Sequence, residues 1–399
     1  MGMQVARPDH VASELAVDFD FYAPCPRGED PFEAWAKLQG GPPVVWTPHN
    51  GGHWIATTGA VTKEVLTDVE RFSSRFAFIP KADRPPAVPL ELDPPVHAPF
   101  RRMLLPVMSP QSVRKWAEEA RALAVELIEG FAARGRCEFM ADFAQQLPII
   151  IILRMLNLPM ADRLPLLEAV NSNLRPTSED RKVAGRQYMN DYIRNLIAER
   201  RAHPGEDIFS GALVADVGGR VMTDDEAAGL ASGLIGGGLD TVTATMGWQA
   251  LCLARNPDLR AQLVSNPDLI PRAIEEMMRR YPVPNIARVV REDMEYEGAQ
   301  MKAGEQILVS ACMHSMDPAV FADPLTVDFT RKDAWKHSSF SHGNHRCIGA
   351  PLAMQELRIF HEEWLKRIPD FRLDPDAPPV LATGIVHAVE SLPLVWTVA

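Results

Sequence analysis

Apolar residues recur at helical spacing through the middle of the chain. From about residue 110 to 280 they fall three and four apart, as in 113–133 and in 184–201, which ends before His203-Pro204-Gly205. Residues 149–156, between Pro148 and Asn157, are the most apolar run of the chain and predict a buried helix. The first 100 residues differ. They are rich in proline and turn residues, with short β-like runs at 43–46 and His53–Ala56. From about 281 onward, short strands and loops surround one strong helix, 352–368.

One helix stands out by length. Thr223 and Glu226 form an S/T-x-x-E capping box, which predicts a helix start. The pattern then runs from about 224 to 255, where Asn256-Pro257 stops it. More than thirty residues at 1.5 Å each reach roughly 45 Å, enough to cross a domain. The middle reads Gly233-Leu234-Ile235-Gly236-Gly237-Gly238-Leu239-Asp240-Thr241. Each glycine costs about 1 kcal/mol relative to alanine inside a helix, so these four need a reason. Either glycine admits a close neighbour, or it opens a turn against which a flat ligand can lie. The acid and alcohol that follow favour the second.

Composition narrows the class. Of 399 residues, 46% are hydrophobic and 23% charged, the mixture of a soluble globular chain. A net charge of -11 argues against a nucleic-acid partner. No repeat or flexible linker appears, so a single domain over 1–399 is expected, with an N-terminal arm at 1–30. The N-terminal stretch lacks a basic start followed by an apolar run, and no segment approaches the ~20 apolar residues of a membrane span. A cytoplasmic protein without membrane anchorage is expected.

Five cysteines, Cys25, Cys137, Cys252, Cys312 and Cys347, are widely spaced with no C-x-x-C pair. That is neither a disulfide framework nor a zinc site. Four of them read as small buried hydrophobes. Cys347 is different. The segment Phe340-Ser341-His342-Gly343-Asn344-His345-Arg346-Cys347-Ile348-Gly349 matches F-x-x-G-x-x-x-C-x-G in full. Gly343 and Gly349 allow tight turns and close approach to a cofactor face. Cys347 precedes a helix expected to start near Pro351, and the free N–H groups and positive end of that helix favour a thiolate.

This segment resembles the haem-binding loop of the cytochrome P-450 monooxygenases. The resemblance implies a mainly α fold, a triangular helical prism with a small β-rich region near the N-terminus. It implies haem b (iron protoporphyrin IX) as cofactor, with Cys347 as the iron ligand in a haem-cysteine loop at 340–349. A thiolate ligand pushes electron density toward O–O cleavage. Phe340, Gly343, His345 and Gly349 would line that loop. His97, Arg101, Arg288 and His345 would hold the haem propionates.

Further matches follow in family order. Glu276-Met277-Met278-Arg279, on an amphipathic helix 272–280, resembles the family's E-x-x-R pair, and Arg331 is the matching third member of a structural ion network. A second such pair, Glu118 with Arg121, reads as an ordinary exposed helix pair. Gly237-Gly238-Leu239-Asp240-Thr241 resembles the oxygen-binding segment of the long helix, with Gly237 and Gly238 against the cofactor. Thr241 would donate a hydrogen bond to bound oxygen and hold a water nearby, and Asp240 would relay protons.

Within the family the chain is most similar to the soluble bacterial camphor hydroxylases. Shared stretches include Phe78-Ile79-Pro80, Asp93-Pro94-Pro95 and Gly384-Ile385-Val386. This implies electrons from a 2Fe–2S ferredoxin and its NAD(P)H-dependent reductase, docked on a basic face with Arg101, Arg102 and Arg346. The departures concern the substrate. Residues 84–90 contain no tyrosine to bind a camphor ketone. Gly233 and Gly236 stand where bulkier residues line the camphor pocket, Pro284 replaces a valine, and Ile286 replaces an aspartate that helps hold a propionate.

A roomier, less polar pocket is expected, lined by Phe78, Leu90, Gly233, Leu234, Gly236, Pro284, Ile385 and Val386. Its substrate would be a small apolar terpenoid or norisoprenoid, an ionone-like ketone before camphor, hydroxylated at an unactivated C–H bond. Residues 75–95 and 171–190 are the expected lids. Two other classes compete: a peroxide-driven peroxygenase, which typically lacks the acid–alcohol pair, and a haem sensor or electron carrier, which does not need it.

Overall fold

The computed structural model describes residues 4–26, 28–82, 84–174 and 178–398. Its frame is mainly helical. The helices that build the site are α1 (His97–Leu104), α2 (Pro110–Ala132), α3 (Gln146–Met155), α4 (Arg163–Leu174), α5 (Glu179–Ala202), α6 (Asp224–Arg255), α7 (Ile270–Arg280) and α8 (Ala350–Arg367). Residues 175–177, within the second expected lid, lie outside the described residues.

The capping box forms as expected. Thr223 Oγ1 accepts from the Glu226 N–H at 3.2 Å, and a Glu226 carboxylate oxygen accepts from the Thr223 N–H at 2.8 Å. The helix then spans 32 residues to Arg255 and is capped by Asn256. From Val242 to Ala254 every residue is buried. This half is therefore core on all sides, with α3, α5 and α8 packed against α6.

Other boundaries move for local reasons. α5 begins at Glu179, not 184, because Ser178 caps it and Glu179 and Asp180 complement its positive end. Pro148 lies inside the first turn of α3 rather than before it, where a missing N–H breaks no helical bond. Ser109 caps α2, with Pro110 at its first position.

α8 packs along α2 around Phe131, Phe139, Phe143, Phe360 and Trp364, whose rings meet edge-on or tilted. Arg121 is not half of an exposed pair with Glu118. It reaches across to Glu362 and Glu363 of α8, because the helix crossing brings two carboxylates nearer than its own turn does.

The β region near the N-terminus is completed from far along the chain. Strands β1 (Val44–Thr47), β2 (His53–Ala56), β3 (Phe72–Ser73), β4 (Asn285–Val290) and β5 (Gln306–Ser310) form one sheet in the order β1-β2-β5-β4-β3. β1 and β2 form an antiparallel hairpin, and β2 runs parallel to β5 with Trp54 opposite Ile307. β4 lies antiparallel to β5, placing Arg288 opposite Ile307. The sheet so carries Arg288 toward the segment that holds Cys347.

Candidate functional site

The cysteine loop is shaped by two left-handed residues, Ser341 at φ +60° and Gly343 at φ +66°. A Cβ on Gly343 would also meet the Leu66 carbonyl at 3.2 Å, so glycine eases both the backbone and a tight contact. The Cys347 N–H donates to the Phe340 carbonyl at 2.8 Å and closes the loop. Gly349 caps α8 with an ordinary backbone, φ -77°; a Cβ there would stand 3.8 Å from the Cys347 sulfur.

The amides of Gly349 and Ala350 donate to that sulfur and, with Arg101, favour the thiolate. Burial outweighs them and leaves the free thiol above its ordinary value. Cys347 nevertheless has accessible surface. A metal cation there would deprotonate it outright. Cys137, Cys252 and Cys312 are buried, and burial raises all three thiols, Cys252 to about 11 and Cys312 to about 12. They fit the expectation of inert core residues.

Beside the cysteine loop, around His345, stands a group of basic side chains from three distant segments. His97 opens α1, Arg288 lies in β4, and His345 precedes Cys347. The His97 and His345 rings have centroids 4.4 Å apart. Each of the three residues is buried, and each has a side-chain nitrogen, His97 Nε2, His345 Nε2 and Arg288 Nη2, without a hydrogen-bond partner among the described residues. Burial pushes Arg288 down to about 10 and, with Arg288 beside it, His345 down to about 3. Buried polar atoms are normally paired, so these three nitrogens suit a polar group of a cofactor. Arg101 is half-buried, within electrostatic reach of Cys347, and its guanidinium donates to the Arg346 carbonyl. A thiol ligand beside the Arg288 and Arg101 guanidiniums and two imidazoles with unpartnered nitrogens is a donor set that suits a haem with two propionates, and the residues fit it. Ile286 packs in the sheet's apolar core, so an aspartate's role there has no counterpart at that position.

The glycines of α6 divide between the two readings. A Cβ on Gly238 would meet Ile152 Cδ1 at 2.6 Å, and one on Gly233 the Val88 carbonyl at 3.2 Å. These two admit close neighbours. Gly236 and Gly237 have nothing within 4 Å and face open space. The expectation that Gly233 enlarges the pocket therefore does not hold, because the 84–90 loop takes that space. Gly236 remains open.

Thr241 Oγ1 donates to the Gly237 carbonyl at 2.9 Å. Its proton is engaged there, which leaves its lone pairs to accept. Asp240 is buried and lines a cavity of about 180 Å³ whose wall mixes Gln145, Glu168, Asn171, Arg181 and Glu390 with apolar residues such as Met140 and Val389. An acid that lines a cavity and an alcohol next to it in the chain are groups that can hold and pass protons.

The apolar candidates converge around β4. The Ala287 N–H donates to the Ala77 carbonyl at 2.8 Å, which brings Phe78 alongside the strand. Gln306 donates to the carbonyls of Phe76 and Phe78 at 2.8 and 2.9 Å. Pro284 bridges Val386, and the Asn285 N–H donates to the Ile385 carbonyl at 2.9 Å. Leu90 and Leu234 are half-buried on the loop and helix joined at Gly233.

The ion network assembles in full. Arg279 makes two 2.8 Å hydrogen bonds to Glu276, and Arg331 reaches the same carboxylate at 3.1 Å. Arg279 also donates to the carbonyls of Ser315, Pro324 and Thr326 at 2.7–3.0 Å.

Fold, thiol and cationic cluster together define a haem-thiolate class of protein. The comparisons agree. The family model for cytochrome P-450 matches residues 141–381. The chain is 34% identical over 402 residues to a probable cytochrome P-450 127A1 of Sinorhizobium fredii, covering 98% of this chain and 96% of that protein. It is 31% identical over 378 residues to a steroid C26-monooxygenase of Mycolicibacterium smegmatis, 92% of each. Among solved structures it resembles cytochromes P-450 CYP101C1 (TM-score 0.89, 37% identity) and CYP101J2 (0.88, 38%), covering 98% of this chain and all of each. The chain belongs to the cytochrome P-450 family. It is a monooxygenase, and the family's cofactor is haem b held by a cysteine thiolate.

Sequence reasoning missed several groups. Arg181 and Glu390 beside Asp240, and the buried carboxyl of Glu356 on α8, carry no motif. Nor does Glu91, whose buried carboxylate binds Arg84. Their significance depends on burial and on neighbours remote in sequence.

Proposed function

We propose that Cys347 supplies the iron's thiolate ligand and that His97, Arg101, Arg288 and His345 hold the propionates. The observation that carries this is the set of three buried, unpartnered nitrogens converging beside the loop of the exposed Cys347. When bound, the haem supplies reductive activation of dioxygen and insertion of one oxygen atom into a C–H bond. The chain supplies the protons and the enclosure. Thr241 accepts a hydrogen bond from a water near Gly237 and holds it in place. Asp240 passes protons inward from the cavity it lines. Glu276, Arg279 and Arg331 do no chemistry and hold the core under the cysteine loop.

The substrate is a small apolar terpenoid or norisoprenoid, an ionone-like ketone in preference to camphor. Support comes from the open space at Gly236, Pro284 beside Val386, and the absence of tyrosine from residues 84–90. Electrons come from a 2Fe–2S ferredoxin and its reductase, docked at exposed Arg102 and Arg346. No helix among the described residues is long and apolar enough to cross a membrane. The test is the absorption spectrum of the ferric haem protein titrated with camphor and with β-ionone. A saturating low-to-high-spin shift with β-ionone and little with camphor is expected. A strong camphor shift would overturn the substrate assignment and leave the family intact.

A further inference from the structure

The wall of the pocket that lies over α6 is fastened in an unusual way. The Glu91 carboxylate has no accessible surface, yet four donors converge on it. The N–H groups of Ala77 and Ala87 reach it at 2.9 and 2.8 Å. Arg84 binds it with both terminal nitrogens, at 2.8 and 2.9 Å. The Glu91 N–H returns to the Ala87 carbonyl at 2.7 Å and closes residues 87–91 as a turn.

The same turn is keyed into the helix. Val88 is 1% exposed. A Cβ on Gly229 would meet the Pro86 carbonyl at 2.3 Å and Val88 Cγ2 at 3.1 Å, and one on Gly233 would meet the Val88 carbonyl at 3.2 Å. Gly229 and Gly233 stand one turn apart and form a notch that receives the backbone of 86–88.

The fastenings are unequal. The two amides and the notch are backbone features and cannot swing away. The Arg84 side chain is 34% exposed and can exchange Glu91 for water. A stand-in is already in place. Arg75 Nη1 lies 3.8 Å from Glu91 and is buried with no hydrogen-bond partner among the described residues. Release of Arg84 would therefore not strand a lone buried charge, which is the usual obstacle to opening such a pair.

We propose that Arg84 is the latch of this wall: Glu91, the amides of Ala77 and Ala87 and the Gly229–Gly233 notch position residues 84–91, and detachment of Arg84 from Glu91 opens the path of an apolar substrate to the pocket. This rests on the haem-pocket reading above. Glu91 is a positioning residue and Arg84 a gate, and neither touches the reacting atoms.

The test uses the haem-loaded protein and two probes of the ferric iron, bulky 4-phenylimidazole and small cyanide, mixed by stopped flow. In Arg84→Ala both the association and dissociation rates of 4-phenylimidazole should rise about tenfold, as expected for a half-exposed charge-assisted pair. Its affinity should change little, and cyanide kinetics should not change. Arg84→Lys should give intermediate rates. Without any ligand, hydrogen exchange of the 84–91 amides should speed up in Arg84→Ala while the thermal midpoint holds. Unchanged 4-phenylimidazole rates, or an equal gain for cyanide, would overturn the latch. A protein that fails to bind haem through thiolate, or ignores β-ionone, would instead overturn the reading on which it rests.

Discussion

Arg279 lies against Glu276 with two hydrogen bonds of 2.8 Å, and neither side chain has any accessible surface. One helical turn separates them, so the pair is preformed on α7. Arg331 and three loop carbonyls then close around it. Removing one partner leaves a buried charge uncompensated, which costs about 3–5 kcal/mol. Glu276→Gln and Arg279→Leu should each lower the thermal midpoint and reduce the haem retained on purification. A midpoint within a degree or so of wild type would show the network to be dispensable.

The glycines of α6 should not respond alike to alanine. In Gly238→Ala the new methyl meets Ile152 at 2.6 Å, and overpacking of this kind costs about 1–3 kcal/mol. Gly229→Ala meets a backbone carbonyl at 2.3 Å and should be worse, since the carbonyl cannot rotate away. Gly236→Ala and Gly237→Ala meet nothing within 4 Å and should gain about 1 kcal/mol of helix propensity. Urea denaturation of the haem-free chains separates the two groups. Equal losses across all four would refute the division.

Thr241→Ala should bind haem and substrate as before but divert electrons to hydrogen peroxide. Thr241→Ser, which keeps the hydroxyl, should restore much of the coupling. Asp240→Asn should slow turnover and enlarge the solvent isotope effect, since it interrupts proton supply rather than its use. The ratio of product to reduced nicotinamide consumed decides the matter, and an unchanged ratio in Thr241→Ala would remove the threonine from the proton path.

Burial alone pushes the Glu356 carboxyl from an ordinary 4.5 to about 8. The folded chain therefore keeps a proton that the unfolded chain releases. The stability this contributes is complete below about pH 4.5 and is lost as pH rises through about 8. Glu356→Gln mimics the protonated form and should flatten that fall. Relative to wild type the variant should gain stability, on the order of 1–4 kcal/mol, between about pH 5 and about pH 9. Parallel thermal-midpoint profiles for the two proteins would contradict the shift.

Arg102 and Arg346 are exposed near the cysteine loop, whereas Arg101 is half-buried and bonded to the Arg346 carbonyl. Replacing Arg102 and Arg346 by glutamine should slow reduction by the ferredoxin and flatten its dependence on ionic strength, because exposed charges act over about a Debye length. Arg101→Gln should instead disturb the haem spectrum. Reduction kinetics that stay salt-dependent in the double variant would place the dock elsewhere.

The features legible in the amino-acid sequence are those encoded by adjacent residues. The ten residues from Phe340 to Gly349 announce the thiolate site by themselves, because the glycine turn and the helix start that shape it are local. The Thr223–Glu226 box and Asn256-Pro257 bound the long helix for the same reason. Tertiary structure decided what depends on the segment lying opposite. It assigned Gly238 to Ile152, Gly233 to the 84–90 loop and Gly236 to open space, although all three read alike in the chain. It turned Arg121 from Glu118 to α8, and it gathered His97, Arg288 and His345 from segments about 50 to 250 residues apart. Hydrogen bonds and caps within a turn follow from spacing, whereas burial and charge pairing between remote segments exist only once the chain has closed on itself.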